Sequence, residues 1–169
     1  MHCPTIPESV EFNTLFPATT LDTIAELEDQ IDFTFPDDYK RFLLKQNGLS
    51  ILSDTEFPLQ KEFDDLTALE LSKIYGVAGA SDSFSVQWGL AIPGFRDRSP
   101  GGLVPIGNDS NSFFICYSQR KRTPNVVVFA DHGFDGYPAS REELTKRILP
   151  VANTFTEFLE SLRPLEDQW

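Results

Sequence analysis

Three short apolar runs lie in the middle of the sequence and are separated from one another only by turn residues. They cover residues 103–107, 113–117 and 126–130, and they are rich in Val, Ile and Phe. Short runs of β-branched and aromatic residues joined by turn residues are typical of neighbouring antiparallel strands. The pattern therefore predicts an antiparallel meander at the centre of the chain.

Helical patterns lie on both sides of these strands. Before them, Thr20 is placed to cap one helix, and Pro36 opens a second helix that ends at Asn47-Gly48. After them, Ser140 with Glu143 and Thr154 with Glu157 have the spacing of a capping box, which predicts a short helix before Pro150 and a last helix ending near Pro164. Residues 80–102 are rich in Gly, Ser and Pro and are expected to form a surface loop with a short strand or helical turn.

This order of elements predicts an α+β fold, with an antiparallel sheet and with the N-terminal and C-terminal helices packed on one face of it. The opposite face, or an edge, would then be left for a partner. The 169 residues are enough for a single domain over residues 1–169. Its motif-bearing core covers about 20–163, and residues 1–19 form an N-terminal extension.

The charge of the chain is strongly negative and unevenly distributed. The sequence has 26 acidic and 14 basic residues, a net charge of −12, and its first 90 residues hold 16 acidic against 5 basic residues. This balance argues against a nucleic acid or an anionic membrane as the partner, because both are bound through Lys and Arg. The excess is either an ordinary solvated surface or a negative face that steers a basic partner.

Cysteine usage and hydropathy indicate a cytoplasmic protein. Cys3 and Cys116 show no disulfide or zinc framework, which favours a reduced, intracellular setting. The first 20 residues lack the pattern of a signal peptide, and no apolar run is long enough to span a membrane.

Catalytic patterns are scarce, so we expect neither an enzyme nor a cofactor. The sequence has no Gly-rich phosphate loop, no G-x-S-x-G motif and no C-x-x-C pair. Asp131, His132 and Asp135 could form a weak metal site, or they could be a polar turn after a buried strand. The turn is favoured because the other His of the chain, His2, lies at the N-terminus and the neighbourhood of His132 offers no second His to complete a ligand set; we therefore expect no metal.

Several segments, taken in order, resemble the motifs of the SMI1/KNR4 family within the SUKH superfamily. They are residues 24–28 (IAELE), 35–43 (FPDDYKRFL) with the stop at Asn47-Gly48, the strand series that begins at 103–109 (LVPIGND), and 155–159 (FTEFL). The resemblance implies a protein-binding module without catalytic activity. Bacterial members commonly act as immunity proteins that neutralise a cognate toxin, often a nuclease, and fungal members serve as regulatory scaffolds.

The leading hypothesis is therefore an immunity protein that occludes a basic toxin domain. A regulatory adaptor without a toxin partner is the alternative, and a metal-dependent enzyme around His132 is the third. Aromatic side chains often anchor interfaces, and carboxylates suit a basic partner. The candidate partner-binding residues are Asp37, Asp38, Asp54, Glu56, Asp64, Asp65 and Asp109, with Trp88 and Phe95 as apolar anchors. Each of them could equally be a solvated or core residue.

Overall fold

The computed structural model describes residues 4–131 and 139–165. Within them the helices are α1 (Leu21–Ile31), α2 (Asp37–Lys45), α3 (Val86–Ala91), α4 (Pro93–Arg96), α5 (Arg141–Lys146) and α6 (Phe155–Glu160). The strands are β1 (Phe12–Thr14), β2 (Leu49–Ile51), β3 (Thr55–Phe63), β4 (Leu66–Ile74), β5 (Leu103–Asp109), β6 (Phe114–Ser118), β7 (Asn125–Phe129), β8 (Ile148–Ala152) and β9 (Arg163–Pro164).

The strands form one antiparallel sheet in the order β1-β2-β4-β5-β6-β7-β8. Strand β3 lies beside this path, because it forms a hairpin with β4 and also pairs with the short strand β9. The predicted meander is confirmed as β5, β6 and β7. The α+β fold with a large antiparallel sheet is confirmed as well.

The helices begin where the capping residues predicted. The Thr20 side chain accepts a hydrogen bond from the Thr23 N–H at the start of α1. Ser140 and Glu143 form a complete capping box at the start of α5, and the Thr154 hydroxyl accepts from the Glu157 N–H at the start of α6. These bonds satisfy backbone donors that the first helical turn would otherwise leave unpaired.

The main core lies between one face of the sheet and helices α1, α2 and α6. Tyr39 and Phe42 of α2 contact Phe155 of α6 at ring centroid distances of 4.9 and 5.0 Å. Tyr39 also contacts Tyr117 of β6 edge-on, and its hydroxyl donates to the Tyr75 carbonyl. Helices α1, α2 and α6 thus cover the same sheet face, as the sequence predicted, whereas the other C-terminal helix, α5, packs on the opposite face. We call the face that α1, α2 and α6 cover the first sheet face.

The opposite face, which we call the second sheet face, is also covered over much of its area. Phe95 of α4 contacts Phe114 and Phe129, and Leu144 of α5 belongs to the same buried cluster. Cys116 is fully buried in this cluster. The expectation that the opposite face would be left for a partner is therefore corrected, because two short helices supply a second layer.

Three strands, β3, β4 and β8, differ from the sequence-based expectation. The sequence pattern predicts short strands at Ile51-Leu52 and Phe57 and a strand over residues 71–77, whereas β3 and β4 form a hairpin with nine residues in each strand. Its turn is Asp64-Asp65, and both residues have positive φ, at 47° and 65°, as a tight two-residue hairpin turn requires. Strand β8 occupies the region where Pro150 was expected to follow a helix, and Pro150 lies opposite Val127 of β7.

The buried side chain of Asn47 joins three parts of the chain. Its Nδ2 group donates to the carbonyls of Pro17 and Val77, both at 2.9 Å, and its Oδ1 accepts from the Val77 N–H at 2.7 Å. Gly48 follows with a φ of 81°, and a Cβ there would lie 2.8 Å from the Gly76 nitrogen. The Asn47-Gly48 pair therefore follows the end of α2 and holds residues 15–17 against the sheet by hydrogen bonds.

Candidate protein-binding surface

The tip of the β3–β4 hairpin presents two exposed carboxylates, Asp64 and Asp65. Phe63, next to the turn, contacts Phe113 at a ring centroid distance of 6.4 Å, which fixes the tip against the β5–β6 turn. Leu66 follows the turn and is 41% exposed. A fixed turn with two carboxylates beside an exposed Leu can contact a partner through both charge and apolar area.

Most acidic side chains of the first 90 residues are exposed. Of the 16, 12 are exposed, and none of these 12 forms an ion pair with the described residues. They lie before β1, on α1, at the start of α2, in turns, and on the β3–β4 hairpin. The 12 residues are Glu8, Glu11, Asp22, Glu26, Asp29, Asp32, Asp37, Asp54, Glu62, Asp64, Asp65 and Asp82.

The neighbouring residues Asp37 and Asp38 differ in their contacts. Asp37 is exposed, whereas Asp38 is partly buried. The Asp38 Oδ2 accepts from the backbone N–H of Thr156 at 2.9 Å and from its hydroxyl at 3.1 Å, and Oδ1 accepts from the Tyr39 N–H at 2.9 Å. Asp38 therefore connects α2 to α6, and Asp37 is the carboxylate that a partner can reach.

Both carboxylates line an open cleft of about 700 Å³ between the start of α2 and the start of α6. Phe35, Pro36 and Pro124 contribute apolar surface to it, and Thr154 and Thr156 contribute hydroxyls. We call it the α2–α6 cleft. It is wide enough to receive a side chain or a short loop of another protein.

At the start of β3, Asp54 and Glu56 also have different roles. Asp54 is exposed, and its carbonyl accepts from the Leu165 N–H at 2.9 Å. Glu56 is only 8% exposed, and its Oε1 accepts from Arg163 Nε of β9 at 2.7 Å. Glu56 therefore holds β9 against β3. It is corrected from a partner-binding candidate to an internal ion-pair residue.

Asp109 is corrected in the same way, because only 1% of it is exposed. Its Oδ1 accepts from the Phe113 N–H at 2.7 Å, and its Oδ2 accepts from Asn111 Nδ2 at 3.1 Å. These bonds close the turn between β5 and β6 from the inside. A short polar side chain that bonds its own turn in this way is a structural element of the turn.

The two aromatic candidates also differ in accessibility. Phe95 is 3% exposed and lies in the buried cluster on the second sheet face, so it is a core residue and is corrected as a surface anchor. Trp88 is partly exposed and contacts Tyr75 at 5.9 Å and Phe84 at 5.1 Å between ring centroids. Lys73 Nζ lies 4.8 Å from the centre of the Phe84 ring. Trp88 therefore keeps part of its surface accessible, whereas Phe95 does not.

Both carboxylate oxygens of Asp131 are already bound by arginines. Arg98 donates to Asp131 through Nε and Nη2, and Arg147 donates through Nη1, while the Asp131 side chain is fully buried. Burial by itself would raise the pKa of Asp131, but the hydrogen bonds and charges of Arg98 and Arg147 outweigh it, so the pKa lies below its ordinary value. Asp131 is thus a structural ion-pair residue.

The remaining metal candidates, His132 and Asp135, lie outside the described residues. Within residues 4–131 and 139–165, no group of three His, Cys, Asp or Glu side chains is arranged to hold a metal ion. The described helices are all too short or too polar to cross a membrane.

The chain matches a known protein family over most of its length. The family model described as SMI1 / KNR4 family (SUKH-1) matches residues 18–161, which is most of the chain. The chain belongs to the SMI1/KNR4 family. It is also 31% identical over 164 residues to the SPbeta prophage-derived uncharacterized protein YokK of Bacillus subtilis (strain 168), a match that covers 87% of this chain and 77% of that relative.

The motifs of this SMI1/KNR4 protein have structural explanations in the fold. Glu28, in the segment IAELE, accepts from the Phe35 N–H at 2.6 Å and forms an ion pair with Lys40 Nζ at 2.9 Å. It therefore fixes the start of α2 relative to α1. The family includes immunity proteins, and its members are generally domains without catalytic activity.

The sequence analysis did not identify Glu62 and Leu66, two exposed residues that lie on either side of the hairpin turn of this SMI1/KNR4 protein. The signal was the pair Phe63 and Leu66, which lie opposite each other on either side of Asp64-Asp65. Two apolar residues separated by two turn residues are a hairpin pattern. The pattern was obscured because Asp-Asp is not a common sequence for a turn with two positive φ values.

Proposed function

We propose that this protein is an immunity protein that binds and neutralises a basic protein toxin of the nuclease type by occlusion. One observation carries the proposal: the acidic excess of the first 90 residues is exposed and unpaired within the described structure. Exposed carboxylates that are not neutralised locally create a negative potential, and such a potential accelerates association with a basic partner. Family membership supports the same function.

The contact surface that we propose has two parts. The first is the hairpin tip with Asp64, Asp65 and Leu66, and the second is the α2–α6 cleft with Asp37 at its edge. Trp88 and the exposed Asp54 are secondary candidates. A toxin nuclease carries Lys and Arg where it binds nucleic acid, so a carboxylate surface can occupy that site without any chemical step.

The proposal requires no catalytic residue and no cofactor. The complex would form in the cytoplasm, before the toxin reaches nucleic acid. An interface of ordinary size, about 1,600 Å² in total, would be sufficient for stable inhibition.

The test is to identify the genes beside this one and to co-express the protein with any basic toxin domain that they encode. We expect the wild-type protein to restore growth and to form a complex whose association rate falls as salt increases. Asp64→Asn with Asp65→Gly should slow association at low salt by about tenfold, because steering by charge contributes mainly to the on-rate. The matched control is Asp97→Asn with Glu142→Gln, which changes the net charge by the same amount at exposed positions of the second half.

If the Asp64/Asp65 variant associates no more slowly than the control variant at low salt, the hairpin tip is not the contact surface. If the gene has no neighbouring toxin gene and the protein binds no toxin domain, the alternative of a regulatory SMI1/KNR4 adaptor replaces the proposal.

A further inference from the structure

A pocket of about 350 Å³ opens on the second sheet face, at the end that α4 and α5 leave uncovered. Ser118 of β6 and Asn125 of β7 lie directly opposite each other in the sheet register, so their side chains share this face with Val127. Thr145 of α5 and the turn residues Arg120 and Lys121 complete the polar part of the wall. We call it the β6–β7 pocket.

Asn125 is the residue that makes this pocket unusual. Only 7% of it is exposed, and its Oδ1 is buried without accepting a hydrogen bond. Leaving a buried acceptor unpaired costs about 1–3 kcal/mol, so such groups are rare in folded proteins and call for an explanation. A ligand that donates a hydrogen bond inside the pocket would supply the missing partner.

Ser118 offers a second polar contact in the same place. It is 3% exposed, and its Oγ accepts from the Arg120 N–H at 3.3 Å, which leaves the hydroxyl hydrogen able to donate. Asn125 and Ser118 together present one acceptor and one donor to the pocket.

The charge of the pocket is opposite to that of the molecule as a whole. Arg120 and Lys121 line it, and among the residues that the structure describes no acidic side chain does, although the net charge of the chain is −12. Arg120 Nη1 donates to the Gly101 carbonyl at 3.3 Å, an exposed bond that leaves the positive charge of the guanidinium without a carboxylate partner among the described residues. Lys121 is exposed and forms no ion pair with the described residues.

We infer that the β6–β7 pocket binds a small organic anion that carries an N–H donor together with a phosphate or carboxylate group. The oxyanion pairs with Lys121 and Arg120 and accepts from the Ser118 hydroxyl, while the N–H group donates to Asn125 Oδ1. Val127, Ile148 and Pro150 contact the apolar part of the ligand. A volume of about 350 Å³ lies at the small end of the usual range for ligand sites.

This site is independent of the proposed toxin contact. It lies on the second sheet face and has a positive lining, whereas the α2–α6 cleft lies beside two helices of the first sheet face and the hairpin tip is negative. A ligand here could be bound with or without a protein partner.

The test is titration of the full chain with three probes, followed by amide shifts in two-dimensional NMR spectra. The probes are adenosine monophosphate, N-acetylglycine and inorganic phosphate; the first two combine an N–H group with different oxyanions, and the third is an oxyanion without an N–H group. We expect one of the first two to bind at least about tenfold more tightly than phosphate alone and to shift the amides of Ser118 and Asn125. Which of the two binds identifies the oxyanion as phosphate or carboxylate.

Two substitutions with matched controls test the assignment of residues. Asn125→Leu and Lys121→Gln should each weaken binding by about tenfold, whereas Asn13→Leu and Lys61→Gln, at exposed positions of β1 and β3, should not. Asn125→Leu should not lower stability without ligand, because it removes an unpaired acceptor. The inference is overturned if no probe shifts the spectrum up to about 10 mM, or if Asn125→Leu binds normally. Equal affinity for phosphate alone would overturn the role of the N–H group.

Discussion

The carboxylate of Asp38 at the start of α2 accepts two hydrogen bonds from Thr156 at the start of α6, across 118 residues of sequence. The first turns of the two helices are thereby held side by side above Tyr39 and Phe155, whose rings are 4.9 Å apart. The contact joins the first and last parts of the SMI1/KNR4 fold on the first sheet face. It also forms one wall of the α2–α6 cleft.

Removal of the Asp38 carboxylate should destabilise the protein. Asp38→Ala leaves the Thr156 N–H and hydroxyl without their acceptor, and the expected loss in the free energy of unfolding is about 1–3 kcal/mol. Urea unfolding followed by circular dichroism measures it. Asp37→Ala, an exposed carboxylate one residue away, is the matched control and should change stability by less than about 0.5 kcal/mol. Equal losses for the two variants would show that the contact with α6 is not the cause.

The ion pairs of Asp131 predict a particular dependence of stability on pH. Because the pKa of Asp131 is lowered in the folded protein, its ionised form stabilises the fold above the ordinary value of 3.8. That contribution is lost as the pH falls through the folded pKa, since the carboxyl group is then protonated in both states. Asp131→Asn should lower the free energy of unfolding by about 3–5 kcal/mol at neutral pH, because it leaves Arg98 and Arg147 without their carboxylate partner.

The measurement for Asp131 is a series of urea unfolding curves from neutral pH to below pH 3.8 for the wild type and Asp131→Asn. The difference in the free energy of unfolding between the wild type and Asp131→Asn should be constant above pH 3.8 and should shrink below it. A difference that stays constant at every pH would contradict the assignment of the effect to Asp131 ionisation.

The hairpin turn should tolerate loss of its charges. Asp64→Asn with Asp65→Gly introduces Asn-Gly, the sequence best suited to a two-residue turn with positive φ at both positions. Thermal unfolding should give a stability equal to or slightly above that of the wild type, within about 0.5 kcal/mol. This result is needed for the binding test, because it separates a loss of charge from a loss of structure. A large destabilisation would mean that the carboxylates themselves hold the turn.

Cys116 should be unreactive in the folded protein. Burial raises the pKa of its thiol well above the ordinary value, and the side chain is fully enclosed on the second sheet face. In a Cys3→Ser variant, in which Cys116 is the only thiol, labelling by a disulfide reagent should be slow in buffer and should become fast as urea unfolds the chain. Rapid stoichiometric labelling in buffer would show that this side of the sheet opens readily.

Local sequence signals predicted the parts of the fold that depend on local chemistry. The caps at Thr20, Ser140 and Thr154 were predictable because each places a hydroxyl three residues before the N–H that it accepts from. Strand β8 was not predictable because Pro150 suggests the end of a helix. In the sheet, the missing N–H of Pro150 is tolerated because this residue lies next to a register irregularity between β7 and β8.

The site could be predicted only at the level of charge. The acidic excess was visible in the composition. The sequence could not show that Asp37 and Asp54 are exposed whereas their carboxylate neighbours Asp38 and Glu56 form internal hydrogen bonds. Phe95 could not be assigned to a core because α4 has only four residues, too few to show a helical period. The pairing of Glu56 with Arg163 depends on residues 107 positions apart, which no local pattern reports.

The bonds of Asn47 to Pro17 and Val77 have a consequence for how the protein opens. A three-residue edge strand such as β1 would ordinarily fray independently of the rest of the sheet. Here the segment that connects β1 to α1 is hydrogen-bonded, through the Pro17 carbonyl, to the buried side-chain amide of Asn47. The amide hydrogens of β1 that bond to β2 should therefore exchange with deuterium at rates close to those of the central strands. The start of the chain would then unfold together with the core as one cooperative unit.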